Sequence, residues 1–435
     1  MSLAPVAIPV QEAFQLHSAI PVNLCAMSFS CCSIPMTFVA VWAFANHSTN
    51  TVLRLATSLQ YFGAMFRLLS IWSGWFWPVL LGTILQACAA PFIINSQIVI
   101  SNKWFSDKER ALATSLLTVA LPMGTALSFL LTGHFFKDTT GDNVANLNKL
   151  LTVQAYIFTA VFAFFQIVFR EKPATPPSAV AEVPVQNLKF SEAFSVMRKN
   201  SSFMLLCLSF ALLFGFYVSL GNLISSIFSP FGFDAREISL VGLYLLVAGI
   251  LGAVIVGAWV DRSGMYKSTL ILLVLANIIF LTCTTQTIYH LDYSYLLFLI
   301  SVILMGFASV SLIPLALGFA AELTFPLQPA LVNGAMILAG QAAAFVQSIV
   351  YAFFLDVRST DQDGTPLPAD ELLAKQQDRV WWTMFMMGII CCVAFALALF
   401  INEDLRRLRF GKTQVAAEIE SPKSSTKLVQ KFDLA

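Results

Sequence analysis

The side chains best suited to bind a solute are polar and aromatic residues near the centres of long apolar segments. They are Tyr217, Gln341, Asn222 and Asn95. An aromatic ring attracts a cation to its face, and an amide oxygen replaces part of the water that a polar solute loses. One interpretation is therefore a binding site for a small organic cation. The other is structural, because tyrosines pack in cores and amides form interhelical hydrogen bonds.

Charged side chains are absent from the middle of every predicted span. Arg67 comes nearest, and its place towards the outer end of its segment predicts that it snorkels to the interface. All four histidines, His17, His47, His134 and His290, fall at or beyond the ends of apolar segments. Carriers that move protons generally place a carboxylate or a histidine on the path. We therefore expect facilitated transport without proton coupling, and no haem ligation by a mid-membrane histidine.

The composition is that of a helical membrane protein. The chain has 435 residues, of which 58% are hydrophobic and 11% are charged, and the mean hydropathy is +0.77. Soluble domains carry about 25% charged residues, so most of this chain has no aqueous surface to cover. The eight cysteines all fall in apolar segments, where buried thiols are expected rather than disulfides or a metal cluster. No enzyme, metal site or cofactor is predicted.

Hydropathy predicts about eleven spans that separate into two groups. Five spans fall in a first lobe (21–170) and six in a second lobe (201–402), joined by a cytoplasmic linker (171–200). Residues 1–20 are too polar and too broken by proline for a span, and we expect them to be an extramembrane or interfacial segment. Residues 403–435 form a cytoplasmic tail. The spans are placed at about 21–45, 52–72, 76–100, 111–135, 150–169, 203–228, 238–260, 268–288, 293–321, 331–355 and 381–401.

The distribution of lysine and arginine predicts the orientation. The basic loop at 102–110, the linker, Arg262 with Lys267 and the basic run at 404–412 all fall on one side under alternating spans. The positive-inside rule makes that side cytoplasmic, so the C-terminus is predicted to be cytoplasmic. Because these basic residues lie in short loops and a tail rather than in a patch, the net charge of +1 indicates no nucleic-acid partner.

A short charged loop ends the most apolar segment. Gly249, Ala253 and Gly257 form one stripe of small residues, which allows close helix packing, and Asp261-Arg262-Ser263-Gly264 follows, with Lys267 one turn on. An acidic-basic-glycine loop between two membrane helices resembles the signature loop of the major facilitator superfamily. The resemblance implies a two-lobed all-α bundle in which this loop braces neighbouring helices and tunes alternating access.

Longer pieces resemble one family within that superfamily, the feline leukaemia virus subgroup C receptor family of choline, ethanolamine and haem-linked transporters. The matching pieces are GFYVSLGNLISSIF, VAGILGAVIVGAWVDRSGMYKSTL, MGFASVSLIPLALGFAAELTFP, NGAMILAGQAAAF and EDLRRLRF. The joint match of the DRSGMYK and ELTFP pieces adds Glu322 to the conformational group. Aligned in this way, the chain begins just after the family's first membrane helix.

The resemblance also implies a substrate site. In choline-carrying members an aromatic cage and glutamines hold the quaternary ammonium, and Tyr217 and Gln341 align with two of those positions. A family glutamine in the fifth helix aligns with Pro122 here. We therefore expect a transporter of a small polar solute, most similar to choline or ethanolamine, in the lipid bilayer of the plasma membrane. The alternatives are a haem-linked transporter of the same family and a non-transporting receptor or assembly factor.

Overall fold

The computed structural model describes residues 3–403, except 17, 105–109, 137–141, 170–189, 326, 328 and 358–367. Its helices are α1 (Ala7–Ala13), α2 (Ile20–Asn46), α3 (Thr49–Ser73), α4 (Trp77–Trp104), α5 (Arg110–Phe135), α6 (Asn143–Val168), α7 (Phe190–Lys199), α8 (Ser201–Asn222), α9 (Ile224–Phe228), α10 (Ala235–Ser263), α11 (Tyr266–Ile288), α12 (Leu291–Leu323), α13 (Pro329–Leu355) and α14 (Ala369–Leu399).

The all-α prediction is confirmed, and eleven long helices match the predicted spans. Nine of the helices in the described part of the chain are long and apolar enough to cross a membrane. Helix α3 is not among them, because its arginines together with its amide and hydroxyl side chains make it too polar. The C-terminal part of the predicted linker forms the short helix α7.

Both ends of α10 follow from local sequence. Asp234 accepts a hydrogen bond from the backbone N–H of Glu237, and the Glu237 carboxylate accepts one from the N–H of Asp234. This capping box satisfies two N–H groups that no helical carbonyl reaches. The helix stops at Gly264, whose φ of 69° lies in the left-handed region that glycine adopts without steric cost.

Helix packing groups the long helices into two lobes. In the N-terminal lobe (α2–α6), α4 packs against α2 and α3, and α6 packs against α3. In the C-terminal lobe (α8–α14), α8 packs against α13 and α14, and α12 packs against α10 and α11. The lobes meet where α2 contacts α13 and where α5 contacts α10. The largest apolar core is built mainly from the C-terminal lobe and extends to Ala4, Ala26 and Met27.

Helices α10 and α12 make a backbone contact, and the predicted stripe of small residues is only partly responsible. A Cβ at Gly306 would lie 2.3 Å from the carbonyl oxygen of Leu245, and one at Gly249 would lie 2.4 Å from Val310 Cγ2. A Cβ at Gly257 would meet nothing within 4 Å. The interpretation of Gly257 as a packing residue is therefore wrong, because its Cβ direction faces open space whereas the neighbouring Val256 is buried.

The N-terminal segment packs against the ends of both lobes. Val6, Ala7 and Val10 are fully buried, in a cluster with residues of α2, α4 and α6. The 3-10 turn Ala4–Val6 also contacts α9 and α10 in the C-terminal lobe. The location of this segment outside the hydrocarbon layer stays a prediction.

Candidate functional site

Helices α8 and α13 share a buried polar interface in the C-terminal lobe. Ser219 Oγ donates to the carbonyl of Ala344 at 3.3 Å, Ser348 Oγ donates to Ser219 Oγ at 2.9 Å, and Asn222 Nδ2 donates to Ser348 Oγ at 3.2 Å. In a bilayer these groups have no water to bond, so serines and amides join helices in pairs of this kind. The hydrogen bonds fix the register of α8 against α13.

The same two helices hold buried oxygens without hydrogen-bond partners. They are Asn222 Oδ1, Asn333 Oδ1, Gln341 Oε1, Gln347 Oε1 and Tyr351 Oη, for which the described residues supply no partner. Gln341 is 6% exposed. Leaving a polar group buried and unpaired costs about 1–3 kcal/mol, and most such groups in native proteins are paired. Several on one helix pair therefore point to a polar ligand or water.

Tyr217 lies on α8 at the junction of the two lobes. It packs against a cluster that Ala126 and Phe129 of α5 form with Leu246 of α10. Since α5 belongs to the N-terminal lobe, any relative movement of the lobes changes the surroundings of this ring. The sequence predicted Tyr217 near the centre of a span but carried no indication that it packs against a cluster shared by α5 and α10.

The structure brings three of the four predicted binding residues onto the packed pair of helices α8 and α13, and it leaves the fourth elsewhere. Tyr217 and Asn222 lie on α8, and Gln341 lies on α13. Asn95 lies on α4 in the other lobe, where its Nδ2 donates to the carbonyl of Pro91 in its own helix at 2.7 Å. Sequence reasoning missed Gln347, which donates to the carbonyl of Leu212 at 3.2 Å. A glutamine six residues after Gln341 in an apolar helix was the available signal.

Arg67 does not snorkel, so that prediction is wrong. The side chain is 6% exposed, and Nη1 donates to Gln86 Oε1 on α4 at 3.2 Å. Gln60 and Gln86 also donate to each other's backbone carbonyls, at 3.1 and 3.4 Å. This amide network turns the guanidinium of Arg67 towards α4 instead of towards the membrane–water interface.

The predicted conformational group lies where α10, α11 and α12 end or begin. Arg262 is exposed, Glu322 is 6% exposed near the end of α12, and the backbone N–H of Lys267 donates to Glu403 Oε1 at 3.2 Å. Gly264 forms the turn. The side chain of Asp261 lies outside the described part of the structure. The loop is thus tied to the residues after α14, but its role in the transport cycle stays a prediction.

Two packed helical lobes with a polar contact region between membrane helices define a transporter fold. The sequence model of the Major Facilitator Superfamily matches residues 1–348 and 218–430. The chain therefore belongs to the Major Facilitator Superfamily, whose members are transporters and not enzymes.

Among curated proteins, the chain is similar to choline/ethanolamine transporters. It is 27% identical to flvcr2a of Danio rerio over 351 residues, which covers 79% of this chain and 74% of that protein. It is 25% identical to FLVCR1 of Felis catus over 407 residues, covering 92% and 69%. It is 24% identical to FLVCR2 of Homo sapiens over 416 residues, covering 93% and 74%. The resemblance identified from the sequence is thus confirmed.

Solved transporter structures share the fold at low sequence identity. The inward-facing, unoccupied bacterial homologue of the human lysosomal transporter Spinster has a TM-score of 0.71 at 12% identity, over 93% of this chain and 94% of that one. The D-xylose-proton symporter has a TM-score of 0.66 at 14% identity, over 93% and 92%. At these identities the likeness shows the fold alone.

Proposed function

We propose that this membrane transporter carries a small polar solute with an ammonium group, similar to choline or ethanolamine. The observation that carries the proposal is the buried Gln341 Oε1, which has no hydrogen-bond partner among the described residues, on the helix that packs against the helix of Tyr217. An amide oxygen accepts from a hydroxyl or primary ammonium group. An aromatic face attracts a quaternary one. The names of the relatives support the same substrate class.

The contacts between the lobes support alternating access. Asn23 Nδ2 of α2 donates to Ser226 Oγ of α9 at 3.2 Å, and Ser18 Oγ donates to Asp356 Oδ1 at 2.6 Å. Both bonds join the lobes at the end that is predicted to face outward. A carrier of this architecture rocks its lobes around a central site, so these bonds break whenever the site opens outward.

Proton coupling has no support at the α8–α13 interface. The polar groups there are amides, hydroxyls and a phenol, and none of these changes charge near neutral pH. We propose facilitated movement down the solute gradient, in the plasma membrane, with the C-terminus in the cytoplasm.

The experiment is uptake of labelled choline and ethanolamine by cells that express the chain. We expect saturable uptake of at least one amine. Replacing Tyr217→Ala should weaken apparent affinity by about 0.5–2 kcal/mol, the range of a cation–π contact. Replacing Gln341→Ala should cost about 1–3 kcal/mol, the range for a lost partner of a charged or polar group.

The matched control is Tyr156→Ala, which removes a tyrosine that is 73% exposed on α6 and should leave uptake unchanged. All variants are compared at equal surface expression. Absence of uptake of both amines, with the protein at the surface, would contradict the proposal and favour the haem-linked or receptor alternatives.

A further inference from the structure

A cavity of about 180 Å³ lies in the N-terminal lobe, away from Tyr217 and Gln341. Helices α2, α3 and α4 form its walls, and the N-terminal segment covers it. The lining residues are Leu3, Ala4, Cys25, Ala26, Ser28, Phe29, Gln60, Arg67, Thr83, Gln86, Ala87 and Ala90.

Arg67 places a positive charge in this cavity, about 9 Å along α3 from its end at Ser73. Charged side chains at such depths are costly and usually functional. Arg67 is also rigidly held. Gln86 Oε1 accepts from the guanidinium at 3.2 Å, and a Cβ added to Gly82 would lie 2.8 Å from the backbone nitrogen of Arg67. The glycine allows α3 and α4 to touch at this point.

The remaining lining is neutral, and its donors are engaged with backbone. Ser28 Oγ donates to the carbonyl of Cys25 at 2.7 Å, and Thr83 Oγ1 donates to that of Val79 at 2.7 Å. The amides of Gln60 and Gln86 bond each other's backbone. The described lining thus carries one full charge, which is positive. An ammonium group would be repelled here, whereas an anionic group would be attracted.

We propose that this cavity is an anion site, which binds a small carboxylate or a halide against the guanidinium of Arg67. A guanidinium presents a planar fork of N–H donors that matches a carboxylate. The low polarity around it strengthens the attraction relative to water. The site is separate from the proposed ammonium site on α8 and α13. Evidence against the anion site would therefore leave the proposed ammonium site unaffected.

The test measures the thermal stability of the purified full chain in detergent. Sodium chloride, sodium acetate and the zwitterion glycine betaine are each titrated against sodium gluconate at constant ionic strength. We expect at least one of the three to raise the melting temperature by about 2 °C or more at saturation. A rise in melting temperature with chloride or acetate would show that the cavity binds a free anion. Stabilisation by glycine betaine that Arg67→Gln abolishes identifies the carboxylate of an organic solute, because a general osmolyte effect or binding at the ammonium site would survive in that variant.

Three variants locate the effect. Arg67→Gln should weaken binding roughly tenfold or more, as expected for a lost charge-assisted hydrogen bond. Arg54→Gln is the matched control, because Arg54 is exposed on the same helix, and binding should be unchanged. If Arg67→Gln does not fold, Ala90→Leu keeps the charge while it narrows the cavity, and should also weaken binding. Absence of stabilisation by all three solutes, or stabilisation that survives both Arg67→Gln and Ala90→Leu, would overturn the proposal.

Discussion

Bridging Asn23→Cys to Ser226→Cys with a short, reducible bifunctional thiol reagent is expected to bring choline uptake down to background. The side chains of Asn23 and Ser226 are 3.2 Å apart and join the two lobes. A covalent link there holds the lobes together at the predicted outer end, so the site cannot open to that side. Reduction of the link should restore uptake.

The controls are the two single substitutions, Asn23→Cys alone and Ser226→Cys alone, treated with the same reagent. Cys25 lies two residues from Asn23 and is buried, so Ser226→Cys alone also reveals any bridge to that native thiol. Full transport by a protein that is shown to be cross-linked would contradict alternating access through this end.

The second large effect is expected at the contact between α10 and α12. In Gly306→Ala the new methyl group would lie 2.3 Å from the carbonyl oxygen of Leu245 and 2.8 Å from its Cα. Backbone atoms cannot rotate away as a side chain can, so the helices must separate. Overpacking of this kind costs about 1–3 kcal/mol, and we expect the melting temperature of the purified protein to fall by several degrees.

Gly318→Ala is the matched control on the same helix. A Cβ at Gly318 would meet only Tyr266, at an ordinary contact distance of 3.4 Å. Its melting temperature should stay the same or rise slightly, since alanine favours helix more than glycine does. Equal losses in both variants would show that the close approach at Gly306 does not limit stability.

Much of the fold was predictable because a bilayer leaves few choices. Backbone groups in hydrocarbon must bond internally, so long apolar runs become helices. The Asp234–Glu237 capping box and the glycine at 264 set the limits of α10 by local chemistry alone. Packing was less predictable. Gly249 packs against Val310 of α12 while Gly257 faces open space, and a four-residue spacing of small residues does not distinguish the two.

The candidate site, too, was predictable only in part. Tyr217 and Gln341 were identified through the family resemblance, and their choice as binding residues stays a prediction. Tyr217 packs against a cluster that includes Ala126 and Phe129, about ninety positions earlier in the chain, and no local pattern records it. Arg67 was misplaced for the same reason. Its acceptor, Gln86, comes from another helix, whereas snorkelling was argued from position within one segment.

The central claim is facilitated transport of an ammonium solute without proton coupling, and reconstituted proteoliposomes test it most directly. Purified protein is placed in vesicles with equal pH on both sides and a clamped membrane potential, and labelled choline and ethanolamine are supplied outside. We expect saturable influx of at least one amine that a proton ionophore does not change and that Tyr217→Ala weakens. Influx that requires an imposed pH gradient, or no influx of either amine through correctly folded protein, would contradict the account.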